Sequence, residues 1–254
     1  MTTRYATAEL NDFFMIGGSL AFVAGLVNSV AFIAFGGYVS HVSGHATRAS
    51  IEISEHHLGV AAVFLLVAIL FILGAAASTI LLRNRYLINK RLNSSLPLLV
   101  ESLLIAAVVW YTALRSQSQF VSQQSLHATC LYLLSFAMGM QNAMLRRSSG
   151  VIIRTTHMTG VATDMGIAMG WLIAVFTNPA RGSVRQVLLE EKFNLTSFLL
   201  HATVFGSFLL GATAGTFGYL HYSFQVFVAP IFILWWHAWN EFRAHHLGPR
   251  RGEF

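Results

Sequence analysis

Two short stretches of this chain carry most of the side chains that could do chemistry, and each is a variant of the other. His41-Val-Ser43-Gly44-His45-Ala-Thr47-Arg48 is matched by His157-Met-Thr159-Gly160-Val-Ala-Thr163-Asp164. A Ser-Gly or Thr-Gly step after an apolar run supplies a hydroxyl that can cap a helix and a glycine that interrupts one. Ser43 and Thr159 are therefore expected to cap new helices. A helix that starts inside a bilayer presents unpaired amide N–H groups and the positive end of its dipole, which together attract anions and carbonyl groups. Asn28 and Asn142, in the apolar runs just upstream, add amides able to bridge helices or to contact a solute. Arg48 and Asp164 occupy the matching position after the repeated glycine. Charges at membrane depth are costly unless paired or hydrated, so these two are expected to approach each other or a shared cavity.

The histidines and carboxylates suggest a second chemistry. His41 and His45 stand four apart, as do Glu52 and His56, and that spacing puts donors on one face of a helix. Gly44 is expected to interrupt the helix of the first pair, and no H-E-x-x-H occurs, so neither a metal nor another cofactor is expected. Glu101, His127, His201 and His237 could relay protons, but the expectation is satisfied buried or interfacial side chains. Nothing resembles a phosphate-binding loop, a nucleophile elbow or a dinucleotide fingerprint. No enzyme activity is expected.

The elements that must position these groups follow from composition. The chain has 254 residues, of which 55% are hydrophobic and only 10% charged, against about 25% charged in soluble domains. Those figures exclude a disordered chain and a coiled coil, and the single Cys130 excludes a disulfide scaffold. The net charge of +6 does not imply nucleic acid, because the basic residues lie between apolar segments. Their expected partner is a lipid bilayer. No targeting peptide is expected, since Glu9 and Asp12 precede the first apolar run.

About 20 apolar residues cross a bilayer. Residues 13–35, 60–82, 96–114, 127–145 and 195–220 meet that length clearly or nearly, and 222–239 is short but rich in Phe and Trp. Residues 42–57 are too polar to span, and 159–176 hold Asp164. With six spans, every Lys and Arg except Arg48 and Arg115 falls on one side, a strong positive-inside bias. Both termini are then cytoplasmic. Trp110 and Tyr111 at one level and Trp235, Trp236 and Trp239 at the other suit interfacial belts.

The chain also repeats itself. Phe22, Gly25 and Asn28 correspond to Phe136, Gly139 and Asn142; the two motifs follow; then the run from Leu73 to Thr79 corresponds to that from Leu210 to Thr216. The third span of each half shows no such match. Three spans per unit turn the second unit upside down, the build of many secondary transporters, whose sites lie where the repeats meet. Gly74-x-x-x-Ser78 and Gly211-x-x-x-Gly215 permit close helix approach. The expected fold is an all-α membrane protein in a single domain, 1–254. Its six transmembrane helices form two inverted three-helix repeats, about 13–114 and 127–239, each with a broken or re-entrant motif segment.

The paired motifs, together with Phe136-Ala-Met-Gly-Met-Gln-Asn142-Ala, resemble those of the YoaK-like family, over nearly the whole chain. The resemblance implies a bacterial inner-membrane protein with about six spans and no assigned function. Members commonly carry Asn after the first Ser/Thr-Gly, where this chain has His45. The expected function is a small secondary transporter or permease for a small polar or anionic solute, working by alternating access. Its site would be drawn from Asn28, His41, Ser43, Gly44, His45, Thr47, Arg48, Asn142, His157, Thr159, Gly160, Thr163 and Asp164. A homodimer is expected, because six spans are half of a twelve-helix transporter. The alternatives are a metal-dependent intramembrane enzyme using residues 42–57, and a non-transporting membrane scaffold.

Overall fold

The computed structural model describes residues 2–83, 95–115, 123–148, 156–177 and 195–247. The basic residues between 84 and 94, Arg154, Arg181, Arg185, Lys192 and the tail from 248 lie outside these, as do residues 151–155 of the second motif. Among the described residues all regular structure is helical: α1 Thr2–Phe35, α2 Val42–Ser54, α3 Leu58–Arg83, α4 Ser95–Arg115, α5 Gln123–Ser148, α6 Met158–Thr177, α7 Leu195–Tyr222, a 3-10 turn Ser223–Phe227, and α8 Val228–Leu247.

Among the described residues, four stretches are long and apolar enough to cross a membrane: Phe14–Phe35 in α1, Leu58–Leu82 in α3, Ser95–Leu114 in α4, and Ser197–Arg243, which takes in α7, the turn and α8. The α3 stretch has the highest mean hydropathy, 2.9, yet only 17% of it is buried by the rest of the chain. Leu65, Ile69, Ile72 and Ile80 stand exposed along it. A surface of that kind is stable with lipid as the solvent and a liability in water. The protein is a helical membrane protein.

Helix α5, expected as a span, is not among the four, and the reason is its polarity. It packs against α1, α3 and α4 and settles two of its polar side chains on the backbones of α3 and α1. Ser135 donates to the Val67 carbonyl at 2.8 Å, and the Gln141 amide donates to the Leu20 carbonyl at 2.6 Å. A helix enclosed by protein can keep Ser135 and Gln141, because both side chains find backbone partners without water.

The largest helix contacts are α1 with α7 and α3 with α5, and both depend on glycine. A Cβ at Gly25 would run into the Phe208 carbonyl, and one at Gly211 into the Phe22 carbonyl. The other crossing repeats the arrangement: Gly74 lies on the Phe136 carbonyl and Gly139 on the Phe71 carbonyl. Each of the four helices thus contributes one Phe-x-x-Gly, offering its Phe carbonyl to a glycine opposite. Along α1, Gly18, Phe22 and Leu26 meet Ser207, Gly211 and Gly215 in turn, so α1 and α7 run parallel. The expected small-residue contacts at Gly74 and Gly211 are present, and their partners are now identified.

Filling these contacts should be costly, because what a new side chain meets is backbone. Gly25→Val or Gly139→Val is expected to lower stability by at least the ~1–3 kcal/mol typical of overpacking. Gly166→Ala, with open space around its Cβ position, should be neutral or slightly stabilising. Thermal melts of the detergent-solubilised variants check this; a Gly139→Val protein that melts with wild type would show that the crossing is not a tight one.

Candidate functional site

Helix α1 stops at Phe35 because Gly36 takes φ +75°, a left-handed conformation that glycine enters without steric cost. The Gly36 N–H still reaches the Phe32 carbonyl at 3.0 Å and closes the last turn. The connection to α2 is then held by Asn28, one helical stretch back and only 4% exposed. Its Oδ1 accepts from the Val39 N–H at 3.0 Å, the Ser40 N–H at 3.3 Å and the Ser40 hydroxyl at 3.1 Å. Its Nδ2 donates to His41 Nδ1 at 3.3 Å, which leaves the ring proton of a neutral His41 on Nε2.

This clamp decides where α2 begins. The N-cap is His41, not Ser43, and no side chain caps the helix; the first helical bond runs from His45 N–H to the His41 carbonyl. Ser43 and Gly44 therefore sit in the first turn, and Gly44 does not interrupt the helix between His41 and His45. The two imidazoles nevertheless diverge. His45 donates from Nε2 to the Tyr38 carbonyl at 2.5 Å and stacks on Phe64. Burial pushes His41 below the ordinary histidine range. Burial also lowers His45, with the Tyr38 carbonyl pulling the other way and the neighbouring His41 adding to the drop. Both rings are neutral at pH 7.

Around the uncapped start of α2 lies a groove of about 520 Å³, walled by α1, α2 and α7. Asn28, Ser29, His41, Ser43 and Gly44 supply its polar edge. Phe32, Ile33, Phe208 and Ala212 line its apolar side, with Thr216 at one margin. Tyr38 stacks on Phe32 at 4.4 Å and meets His41 edge-on, stiffening the rim. The arrangement holds no fixed charge. It offers hydroxyls, one amide, a neutral imidazole and the free N–H groups of a helix start, all of which suit a small polar or anionic group.

The remaining expected site residues lie elsewhere. Thr47 bonds the Ser43 carbonyl on the exposed side of α2. Arg48 pairs with Glu52 on its own helix at 2.6 Å, and Asp164 lies 3.5 Å from His201. The expected Arg48–Asp164 pair is thus not formed: each charge finds a nearer partner, the first at the i,i+4 spacing that helices favour. Glu52, its side chain 4% exposed, also takes His57 Nδ1 at 3.1 Å; the expected four-residue partner, His56, turns away at φ 61°.

In the second motif α6 begins at Met158, so Thr159 is inside the helix rather than at its cap. The His157 ring lies over Gly160 and occupies the space of a Cβ there. Thr163 bonds the Thr159 carbonyl. Asn142 differs from Asn28, since its buried Oδ1 has no partner among the described residues. The groove residues from α7 were missed by sequence reasoning. A signal was there: the Phe-x-x-Gly shared by α1, α3, α5 and α7 marks Phe208 as a contact of Gly25.

The fold and this site define a polytopic helical membrane protein with a discontinuous-helix groove. A family model described as a protein of unknown function, DUF1275, matches residues 16–238. The chain belongs to that family, which includes the YoaK-like proteins it resembles. No curated protein and no solved structure matches it.

Removing the clamp should loosen the start of α2. Asn28→Leu strands two buried backbone N–H groups and a hydroxyl, at ~1–3 kcal/mol for each buried group left unpaired. Ser40→Ala removes only one bond and should cost about 1 kcal/mol. Hydrogen exchange of the amides at 38–45 reads the order directly; faster exchange in Ser40→Ala than in Asn28→Leu would refute the clamp.

Proposed function

We propose that the protein is a small secondary transporter that binds a small polar or anionic solute in the groove between α1, α2 and α7. The observation that carries this reading is the uncapped first turn of α2, opened onto a groove beside a span by the Asn28 clamp. Irregular backbone next to a membrane span is tolerated where it lines a cavity or is buried in protein, and transporters place substrate groups at such helix starts.

The alternating-access part rests on the two crossings. Phe22–Gly211 and Gly25–Phe208 in one correspond, position for position, to Phe136–Gly74 and Gly139–Phe71 in the other. This supports two inverted repeats of three spans, with α1, α3 and α4 in the first and α5, α7 and α8 in the second. The parallel run of α1 and α7 is what six successive crossings require. The third spans, without a match in sequence alone, start alike: Pro97 is the third residue of α4 and Pro230 the third of α8. In that register Ser102 matches Trp235, and the Trp235 indole donates to the Ser102 hydroxyl at 2.9 Å. Rocking the repeats about the glycine crossings would expose the groove to alternate sides.

A thermal-shift screen of the purified protein against small carboxylates, inorganic phosphate, sulfate and amino acids tests the reading. A bound solute at a hundred times its Kd adds about 2.7 kcal/mol of stability. Ala212→Phe, which fills the groove, should fold and lose that response. A response undiminished in Ala212→Phe would remove the groove from the proposal.

The proposed setting is a bacterial inner membrane, with the termini and the 84–94 loop cytoplasmic. Cysteine labelling from outside checks it, against a low background because the native Cys130 is buried. An engineered cysteine at Ser118 should label and one at Ser94 should not; the reverse pattern would invert the topology. A homodimer is proposed because six spans are half of a twelve-helix transporter, and the mass of native-lipid particles reads it directly.

One observation favours a second reading. Donor atoms of Glu52, Glu55 and His57 lie within 4.8 Å of one another, as a metal-dependent enzyme would need. The Arg48 guanidinium already occupies Glu52, however, and competes with a cation there. A stoichiometric metal in the purified protein would favour that reading over transport.

A further inference from the structure

Glu101 is a carboxyl the groove does not use. It is the seventh residue of α4, roughly 9 Å along the helix from its start at 1.5 Å per residue. The side chain is 1% exposed, and its Oε1 is buried with no hydrogen-bond partner among the described residues. The expectation of a satisfied side chain therefore fails here. The elements packed against α4 are α5, α8, the 3-10 turn and, more lightly, α3. Their titratable side chains among the described residues are His127, Cys130 and Tyr132 on α5 and His237, Glu241 and Arg243 on α8. None makes a recorded bond to Glu101. His237 is taken by the Ser19 hydroxyl at 2.6 Å, and His127 lies against Phe35.

Packing does not require a carboxyl at this place. In the register that pairs Pro97 with Pro230 and Ser102 with Trp235, Glu101 corresponds to Leu234, which is itself 0% exposed. One half of the molecule fills the position with an apolar side chain of similar length and the other with an acid. An ionised carboxylate without a partner is strongly disfavoured inside a membrane protein, whereas the neutral acid is tolerated and can give up its proton when its surroundings open.

We propose that Glu101 is a reversible proton-binding site: a neutral acid while α4 is packed on α5 and α8, and a carboxylate once water reaches it as the halves rock. The site loses one proton and gains one negative charge in that step, and the proton passes to the water that enters. Resting on the transport reading, this makes the protein proton-coupled, with Glu101 as the coupling group rather than a solute ligand.

Infrared difference spectra of the full chain in lipid nanodiscs test it. Wild type minus Glu101→Gln should show a protonated-carboxyl stretch at neutral pH. That band should disappear reversibly as pH is raised, with the helical circular dichroism unchanged. Glu101→Leu, which copies the matching residue of the other half, should fold and melt within a few degrees of wild type. Absence of the band at neutral pH would overturn the proposal, as would a band that persists until the protein unfolds. Failure of both variants to fold would also overturn it, since the carboxyl would then be structural. A reversible band in a protein that no solute stabilises would leave the proton site standing and remove the transport reading, so the two failures are distinguishable.

Discussion

The close approach of backbone to backbone at two helix crossings is the constraint from which the rest of the structure follows. In water, helices are driven together by burying apolar faces; in lipid that force is largely absent, and contact must come from packing itself. Glycine makes that packing dense by letting a carbonyl sit where a side chain would be. Gly25 and Gly211 do this for α1 and α7, and Gly74 and Gly139 for α3 and α5. Because α1 and α7 are brought this near, the ends of both helices converge where α1 stops. The groove is the space enclosed between the last turns of α1, the facing side of α7 and the first turn of α2.

The second constraint is the Asn28 amide. A chain leaving a helix beside a membrane span has backbone donors that must be bonded within the protein, and one side-chain oxygen takes two of them, at Val39 and Ser40, together with the Ser40 hydroxyl. The same amide turns His41 away from the start of α2 by holding its Nδ1. One residue therefore satisfies the connection and leaves the next helix uncapped. On the proposed reading, stability and binding are coupled through it, since a capping side chain would take up one of the N–H groups that the helix start offers.

How much of this was legible in the sequence depends on the range of the interaction. The helical segments followed from apolar length, because a span must bury its own backbone bonds whatever its neighbours do. The match of Asn28 with Asn142 and of the two Gly-containing motifs was legible as repetition. The cap was not: Ser43 has the right chemistry, but the register of α2 is set by a side chain on α1 that pulls the loop in at Val39 and Ser40. Nor was the partner of Arg48. Membrane depth points across the molecule for a countercharge, while Glu52 stands one turn away. Phe208, Ala212 and Thr216 entered the groove only through the α1–α7 crossing, a contact between residues far apart in the chain.

In the proposed two-repeat arrangement, the halves differ most at the polar positions, and the differences share a direction. At the first motif, Asn28 draws the histidine off the helix start; at the second, His157 lies over Gly160 and shields it. At the third helix, Glu101 stands where the other half has Leu234. Packing alone would be served by either version, since both occur in one molecule on similar frames. What the first half gains is an open helix start and a buried acid; what the second half keeps is a covered helix start and an apolar core position. Crossings built on reciprocal glycines can tolerate such divergence, because they fix the geometry whichever side chains fill the space around them. On the proposed reading, the asymmetry assigns the open helix start and the buried acid to α1, α2 and α4, with α5 to α8 as the surface against which they work.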